Sequence, residues 1–385
     1  QKSFEKLNPV EQQNEIKQVM PNIDQTEIEY LSQSVYDKWL TEGPKSKKFL
    51  KHIKEFTGSK YAVLAPNGTL GLFLGLLALD LPRGSEVIMP SFTFFASASS
   101  IVFAGLKPIF VDVDKDTFNM DVNKIETLIT SNTSAIMPVH VYGHSANMSD
   151  IMSIAKKNNL KIIEDAAQAY GVSYKGRHCG VFGDVSMISF FADKTITMGE
   201  GAVVLTQNKS LYEKLLLLRN QGRPDSGTFI HQALGMNFRV TDMQCGVGLA
   251  QVEKYPATLK KKIEDYDLYF NLLKGVGDLK FLKVEKGSTF VPFRFFIKTK
   301  YKEYLSSYLE DKKIQTRSFF YPMHKQPPLV KYHKSHQKLD ISESLYDTGI
   351  CLPLHSYLTN QDIEYICTSI KEFFKNKKRV KSRDL

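Results

Sequence analysis

Three short segments of this 385-residue chain hold residue types that could share one reaction. In Pro66-Asn67-Gly68-Thr69-Leu70, a glycine and a hydroxyl residue stand between an apolar β-type run and an apolar helical pattern. Free backbone N–H groups and the helix dipole at such a junction favour an anion, phosphate above all. The same letters also spell an ordinary turn followed by a helix cap. In Ile162-Ile163-Glu164-Asp165-Ala166-Ala167-Gln168, an acid closes a second apolar run. Ligands of parallel sheets gather at the carboxyl ends of strands. A carboxylate there can keep a pyridine nitrogen protonated, which makes the ring an electron sink; capping a helix is its plainer role. In the third segment, Ser189 to Gly201, Lys194 follows a strand end and precedes a Gly-Glu-Gly turn. An amine so placed could form a Schiff base, although a loop lysine is ordinarily just solvated.

The elements that would position these residues follow from periodicity. Short β-rich runs at 61–65, 86–90, 108–112, 135–140, 161–165, 185–190 and 202–206 alternate with helix-length segments such as 148–159. Several runs are apolar at consecutive positions, as parallel strands buried on both faces require. The fold expected is α/β with a mostly parallel sheet. After residue 207 the pattern changes to a long helical stretch from Thr241 to Leu273, an alternating segment at 290–297, and helices near 301–312 and 360–374. The expected division is a large α/β domain over 1–255 and a smaller α+β domain over 256–385. No GxGxxG follows a strand: Gly246-Val247-Gly248 lies in a helical stretch, with Gln251 in the third glycine's place. No P-loop motif occurs either.

Composition narrows the class further. Apolar residues make up 42% and charged residues 24%, ordinary for a globular chain and unlike a disordered one. The longest apolar run, Leu70 to Leu79, is too short to span a bilayer, so no membrane passage is expected. The first residues lack the apolar core of a secretion signal. Cys179, Cys245, Cys351 and Cys367 lie far apart with no metal spacing. Reduced thiols, a cytoplasmic location and no metal site are the reading. The formal net charge is +10, but Lys375 to Leu385 alone holds six cations against Asp384. The charge thus describes a terminus rather than a nucleic-acid face.

Taken together, the phosphate-type loop, the carboxylate and the lysine resemble fold-type I pyridoxal phosphate enzymes. More narrowly, the chain resembles the DegT/DnrJ/EryC1/StrS family of sugar aminotransferases, from Trp39-Leu-Thr-Glu-Gly-Pro44 to about Phe374. The landmarks are Gly84 to Phe94, Val111-Asp-Val-Asp114, Glu164-Asp-Ala-Ala-Gln168 and Asn237-Phe-Arg239. The resemblance implies a fold-type I aminotransferase with pyridoxal 5'-phosphate bound covalently to Lys194, the catalytic residue. It implies that Asp165 pairs with the ring nitrogen and Gln168 with the ring hydroxyl. Gly68, Thr69 and Ser189 hold the phosphate, and Phe94 stacks on the ring. Asn237 reaches the phosphate of a neighbouring subunit, which implies a homodimer with shared active sites. The chain departs from the family where Asn67-Gly68-Thr69-Leu70-Gly71 replaces Ser-Gly-Thr-Ala-Ala, and where Ala202 follows Gly199-Glu200-Gly201 in place of glycine. Residues 1 to about 17 and the basic tail extend beyond the family's usual ends.

Members of this family that dehydrate a sugar carry histidine at the lysine position, so Lys194 favours transamination. Arg317-Ser-Phe-Phe-Tyr321-Pro-Met-His324 is similar to the corresponding stretch of GDP-perosamine synthases, as is Asp193 to Thr197. That likeness implies amination, with L-glutamate as donor, at C4 of a nucleotide-linked 4-keto-6-deoxyhexose, GDP-4-keto-6-deoxymannose first. Arg317, Tyr321 and His324 become substrate-side candidates, although an Arg/aromatic/His run can equally be structural. The amino sugar would serve surface glycans such as O-antigen lipopolysaccharide. The alternatives are a UDP- or dTDP-linked keto sugar aminated at C4 or C3, or a non-enzymatic regulator on the same fold.

Overall fold

The computed structural model describes residues 15–225, 227–333 and 337–381, the last five as helical backbone only. Most of the N-terminal extension and the last four residues of the basic tail therefore lie outside the described residues. The chain begins with α1 (Gln25–Tyr36) and α2 (Pro44–Thr57). The alternation then runs β1 (Tyr61–Ala65), α3 (Gly68–Leu79), β2 (Glu86–Pro90), α4 (Phe95–Phe103), β3 (Lys107–Val111), β4 (Thr133–Ile136), α5 (Met148–Lys157) and β5 (Lys161–Asp165). A small hairpin, β6 (Ser173–Tyr174) and β7 (Arg177–His178), precedes β8 (Val185–Ser189), β9 (Ala202–Thr206) and α6 (Lys209–Arg219).

Seven of these strands form one sheet in the order β1-β9-β8-β5-β4-β2-β3. All pairs from β8 to β3 are parallel, and β9 runs against both of its neighbours. The expected, mostly parallel sheet is present. Its strands are apolar on both faces because both faces are covered. Ala62, Leu64, Ile162 and Val203 meet α2, α5 and α7 (Asp242–Leu273) on one side. Val63, Ala65, Ile163 and Val204 meet α3, α4 and α6 on the other. The run expected at 135–140 is shorter, ending at Ile136, because Pro138 has no N–H for a ladder.

The remainder builds a second sheet, β10 (Lys280–Phe281), β11 (Phe295–Lys298), β12 (Arg317–Ser318) and β13 (Gly349–Leu352), in the antiparallel order β10-β11-β13-β12. It is backed by α8 (Lys302–Asp311) and α10 (Asn360–Lys381), while α9 (Asp340–Thr348) leads into β13. Helix α7 joins the two bodies. Cys245, Leu249 and Val252 belong to the first core, and Tyr269 and Leu273 to the second. Residue 255, expected as the boundary, falls inside this continuous helix beside Pro256. We propose the division there, with α7 shared. Among the described residues, no helix is long and apolar enough to cross a membrane, and no group of side chains is arranged to hold a metal ion.

Candidate active site

A cavity of about 550 Å³ opens at the carboxyl ends of β1, β2, β5 and β8 and is closed from the far side by residues near β11, β12 and β13. Gly68, Thr69, Phe94, Asp165, Gln168, Ser189, Lys194 and Arg317 all line it.

One corner is suited to an anion. The Asn67 side chain caps α3, accepting from Leu70 N at 3.0 Å, and the first N–H groups of a helix lack intrahelical partners. Gly68 lets this helix start touch β8, since a Cβ there would come within 3.2 Å of Ser189 Cβ. Ser189 Oγ accepts from Phe191 N at 3.3 Å, which leaves its hydroxyl proton to donate.

Asp165 is buried at the end of β5. Its Oδ2 accepts from Ser97 Oγ at 2.7 Å and its Oδ1 from Ala167 N at 3.1 Å. Burial pushes the carboxyl above its ordinary range, although these two bonds and the Lys194 charge oppose the rise. Glu164 points to the opposite face, where it accepts from Gly180 N, Phe182 N and Gly183 N. His140 joins it: Nδ1 takes the Ala146 N–H, so Nε2 carries the proton toward Glu164 Oε2 at 2.9 Å. The strand end is thereby clamped from behind.

Lys194 follows β8 in a turn closed by its own N–H on Phe191 O at 2.9 Å. Its Nζ lies 3.5 Å from Asp193 Oδ1 and 4.8 Å from the Phe293 ring centre. Burial lowers its proton affinity, Asp193 opposes that, and Arg294 adds to it. Gln168 Oε1 accepts from Tyr142 N at 2.6 Å, so its NH2 remains for the cavity. Tyr142 is buried with φ of 59°, a left-handed conformation costly for a bulky residue. Its ring stacks on Phe296 at 3.9 Å. Sequence reasoning missed Tyr142, Ser97, Phe293 and Arg294, because each matters through a partner distant in the chain.

Three candidates do not line the cavity. His324 is a buried strut, with Nδ1 2.7 Å from Ser91 Oγ and Nε2 3.0 Å from Glu343 Oε1. Both nitrogens are already used, so the structure gives it a scaffolding place rather than a substrate-side one. Tyr321 packs edge-on against Tyr346 at 5.0 Å. Asn237 is exposed, its Oδ1 accepting from Arg239 N at 3.1 Å.

Residues 21–371 match the DegT/DnrJ/EryC1/StrS aminotransferase family. The chain belongs to this family. It is 39% identical over 364 residues to a GDP-perosamine synthase of Escherichia coli, covering 93% of this chain and 98% of that protein. It is 36% identical over 363 residues to a GDP-perosamine synthase of Caulobacter vibrioides, covering 91% and 96%. A crystal structure of a DegT/DnrJ/EryC1/StrS aminotransferase from Brucella abortus superposes with a TM-score of 0.86 at 28% identity, covering 91% of this chain and 95% of that one. The protein is an aminotransferase, and its cofactor is pyridoxal phosphate. The residues present fit that group. A buried acid with only neutral donors and a neighbouring amine, an anion corner and a half-buried lysine surround one space of suitable size.

Proposed function

We propose that this aminotransferase moves an amino group from L-glutamate to the C4 keto carbon of a nucleotide-linked 4-keto-6-deoxyhexose, GDP-4-keto-6-deoxymannose being the first choice. The observation that carries the reading is the convergence of Lys194, Asp165 and the α3 start on one cavity. The identity to two GDP-perosamine synthases supports the choice of sugar. The bound cofactor supplies an electron sink for charge that develops at the substrate carbon.

Each residue then has a task set by its surroundings. Lys194, with its proton affinity lowered by burial, has more of its amine neutral than a solvated lysine, and so can act as nucleophile and carry a proton at the substrate carbon. Asp165 would keep the ring nitrogen protonated, and such a cationic neighbour would in turn favour its own charged form. Gly68, Thr69 and Ser189 would hold the phosphate, Gln168 would donate to the ring hydroxyl, and Phe94 would cover the ring. Arg317, more than half exposed at the cavity wall, is placed to meet the anionic part of a substrate.

Asn237 would complete the phosphate site of a second copy. In the sequence it follows Phe229, Ile230, Leu234 and Met236, which are 89%, 72%, 99% and 52% exposed. An apolar surface of that kind is normally covered, here by the partner of a homodimer. We place the enzyme in the cytoplasm, in surface-glycan synthesis such as that of O-antigen lipopolysaccharide. Incubating it with glutamate and a panel of GDP-, UDP- and dTDP-linked keto sugars tests the reading by product mass. A gain of an amine on the GDP-linked sugar alone is expected. Amination of only UDP- or dTDP-sugars would overturn the choice of substrate.

A further inference from the structure

Three side chains, Gln18, Arg294 and Asp193, link the N-terminal segment to Lys194. Ile16 N donates to Lys313 O at 2.8 Å and Gln315 N to Ile16 O at 2.9 Å, fixing this segment along the chain after α8. It delivers Gln18, which is buried, to Arg294: Gln18 Oε1 accepts from Arg294 Nη1. Arg294 Nη2 in turn binds Asp193 Oδ2 at 2.6 Å. The other oxygen, Asp193 Oδ1, is buried, makes no hydrogen bond, and lies 3.5 Å from Lys194 Nζ. Both cations also lie near the Phe293 ring, with the guanidinium centre 4.9 Å and Nζ 4.8 Å from its centroid.

We propose that Asp193 and Arg294 are a positioning pair that divides one negative charge between a fixed guanidinium and the Lys194 nitrogen, and so sets how readily that nitrogen holds a proton. The proposal rests on Lys194 being the residue that binds the cofactor. A carboxylate near an amine favours the protonated form, and a cation disfavours it. Because Arg294 occupies Oδ2 at a charge-assisted distance, Lys194 feels only part of the Asp193 charge. Gln18 keeps the guanidinium from swinging away. The other charged groups around this pair are Asp165 beside Lys194, Arg317 with Nη1 3.9 Å from Asp193 Oδ2, and Lys262, whose Nζ donates to Pro292 O and Phe293 O. Asp165 favours the protonated lysine, whereas Arg317 and Lys262 add positive charge near the Asp193 carboxylate without the direct hydrogen bond that Arg294 makes.

The arrangement makes a prediction of opposite signs. In the cofactor-loaded protein, visible absorption titrated against pH reads protonation of the Lys194 nitrogen. Asp193→Asn leaves the Arg294 charge uncompensated and should lower the midpoint by about one pH unit or more. Arg294→Gln frees the whole carboxylate and should raise it by a similar amount. Arg294→Lys should return the midpoint toward the parent, and Gln18→Ala should move it upward by less. Midpoints that shift in the same direction for Asp193→Asn and Arg294→Gln would overturn the proposal. So would unmoved midpoints in variants whose only change is a lower melting temperature. Should Arg294→Gln fail to fold, Asp193→Asn and Gln18→Ala still have to move apart. Loss of the visible band in Lys194→Ala is the separate control: its survival would remove the assignment of Lys194 itself.

Discussion

At the scale of single residues, the proposed role of Lys194 needs it neutral to form a bond and charged to return a proton; burial lowers its proton affinity, and Asp193 and Asp165 oppose that. Lys194→Ala should lower turnover by more than about a thousandfold, since nucleophile and proton carrier vanish together. The circular dichroism spectrum should be unchanged, because the side chain makes no hydrogen bond that holds the fold. Retained activity in steady-state assays would assign the chemistry elsewhere. Asp165→Asn should cost about a thousandfold in kcat, roughly 4 kcal/mol, because a neutral amide cannot keep the ring nitrogen protonated. Its effect on stability has the opposite sign. Burial raises the folded carboxyl above its unfolded value, so the native state binds the proton more tightly and loses stability as pH rises through that interval. Without cofactor at pH 7, Asp165→Asn should therefore melt at the same temperature or higher. A clear fall in melting temperature would return Asp165 to a capping role. Asp165, Lys194 and Gly68 were legible because local motifs fix them at strand or helix ends. Arg294 and Ser97 were not, since their partners lie 101 and 68 residues away. His324 shows the converse: the likeness of its segment to GDP-perosamine synthases suggested a substrate contact, but Ser91 and Glu343 claim both nitrogens.

At the scale of elements, the strands of the large sheet were readable because burial on both faces writes an unbroken apolar run. Tyr61–Ala65, Glu86–Pro90, Lys161–Asp165 and Ala202–Thr206 form with the limits their sequences suggest. The hairpin of β6 and β7 and the strands β10 and β12 have two residues each, too few to show a period. Nor does apolarity alone say how closely α3 approaches the sheet. That is decided by Gly68, Gly71 and Gly75, spaced to share one helix face. A Cβ at Gly71 would come within 2.7 Å of Met187 Cγ, and one at Gly75 within 3.3 Å of Ile163 Cδ1. The departure from the family's usual alanine at position 71 thus lets the helix sit against Met187. Gly71→Val should push α3 outward and destabilise the chain by about 1–3 kcal/mol. The anion corner should shift with it and weaken cofactor binding. Thermal unfolding and a titration with pyridoxal phosphate check both effects. A destabilised variant with unaltered cofactor affinity would separate helix packing from the anion site.

At the scale of the molecule, the described residues form a cavity and, separately, expose several large apolar side chains. Leu234 is 99% exposed and Phe229 89%, a few residues before Asn237. The proposed two-fold dimer would bury these side chains and bring each Asn237 to the other subunit's phosphate. An isologous interface then makes two equivalent shared sites. Mixing two inactive proteins tests this. Lys194→Ala removes the amine, and Asn237→Asp sets a negative charge against the phosphate. After subunit exchange, the heterodimer holds one site with Lys194 and Asn237 both intact. Its other site carries both lesions. Activity of the mixture should rise above either parent, toward about a quarter of the wild-type rate at full statistical exchange, because half of the dimers are mixed and each has one sound site. Mass spectrometry of differently tagged chains would establish that exchange has occurred. Proven exchange without recovery, or full activity in a protein that sediments as a monomer, would remove Asn237 from the site and leave the apolar surface to another partner.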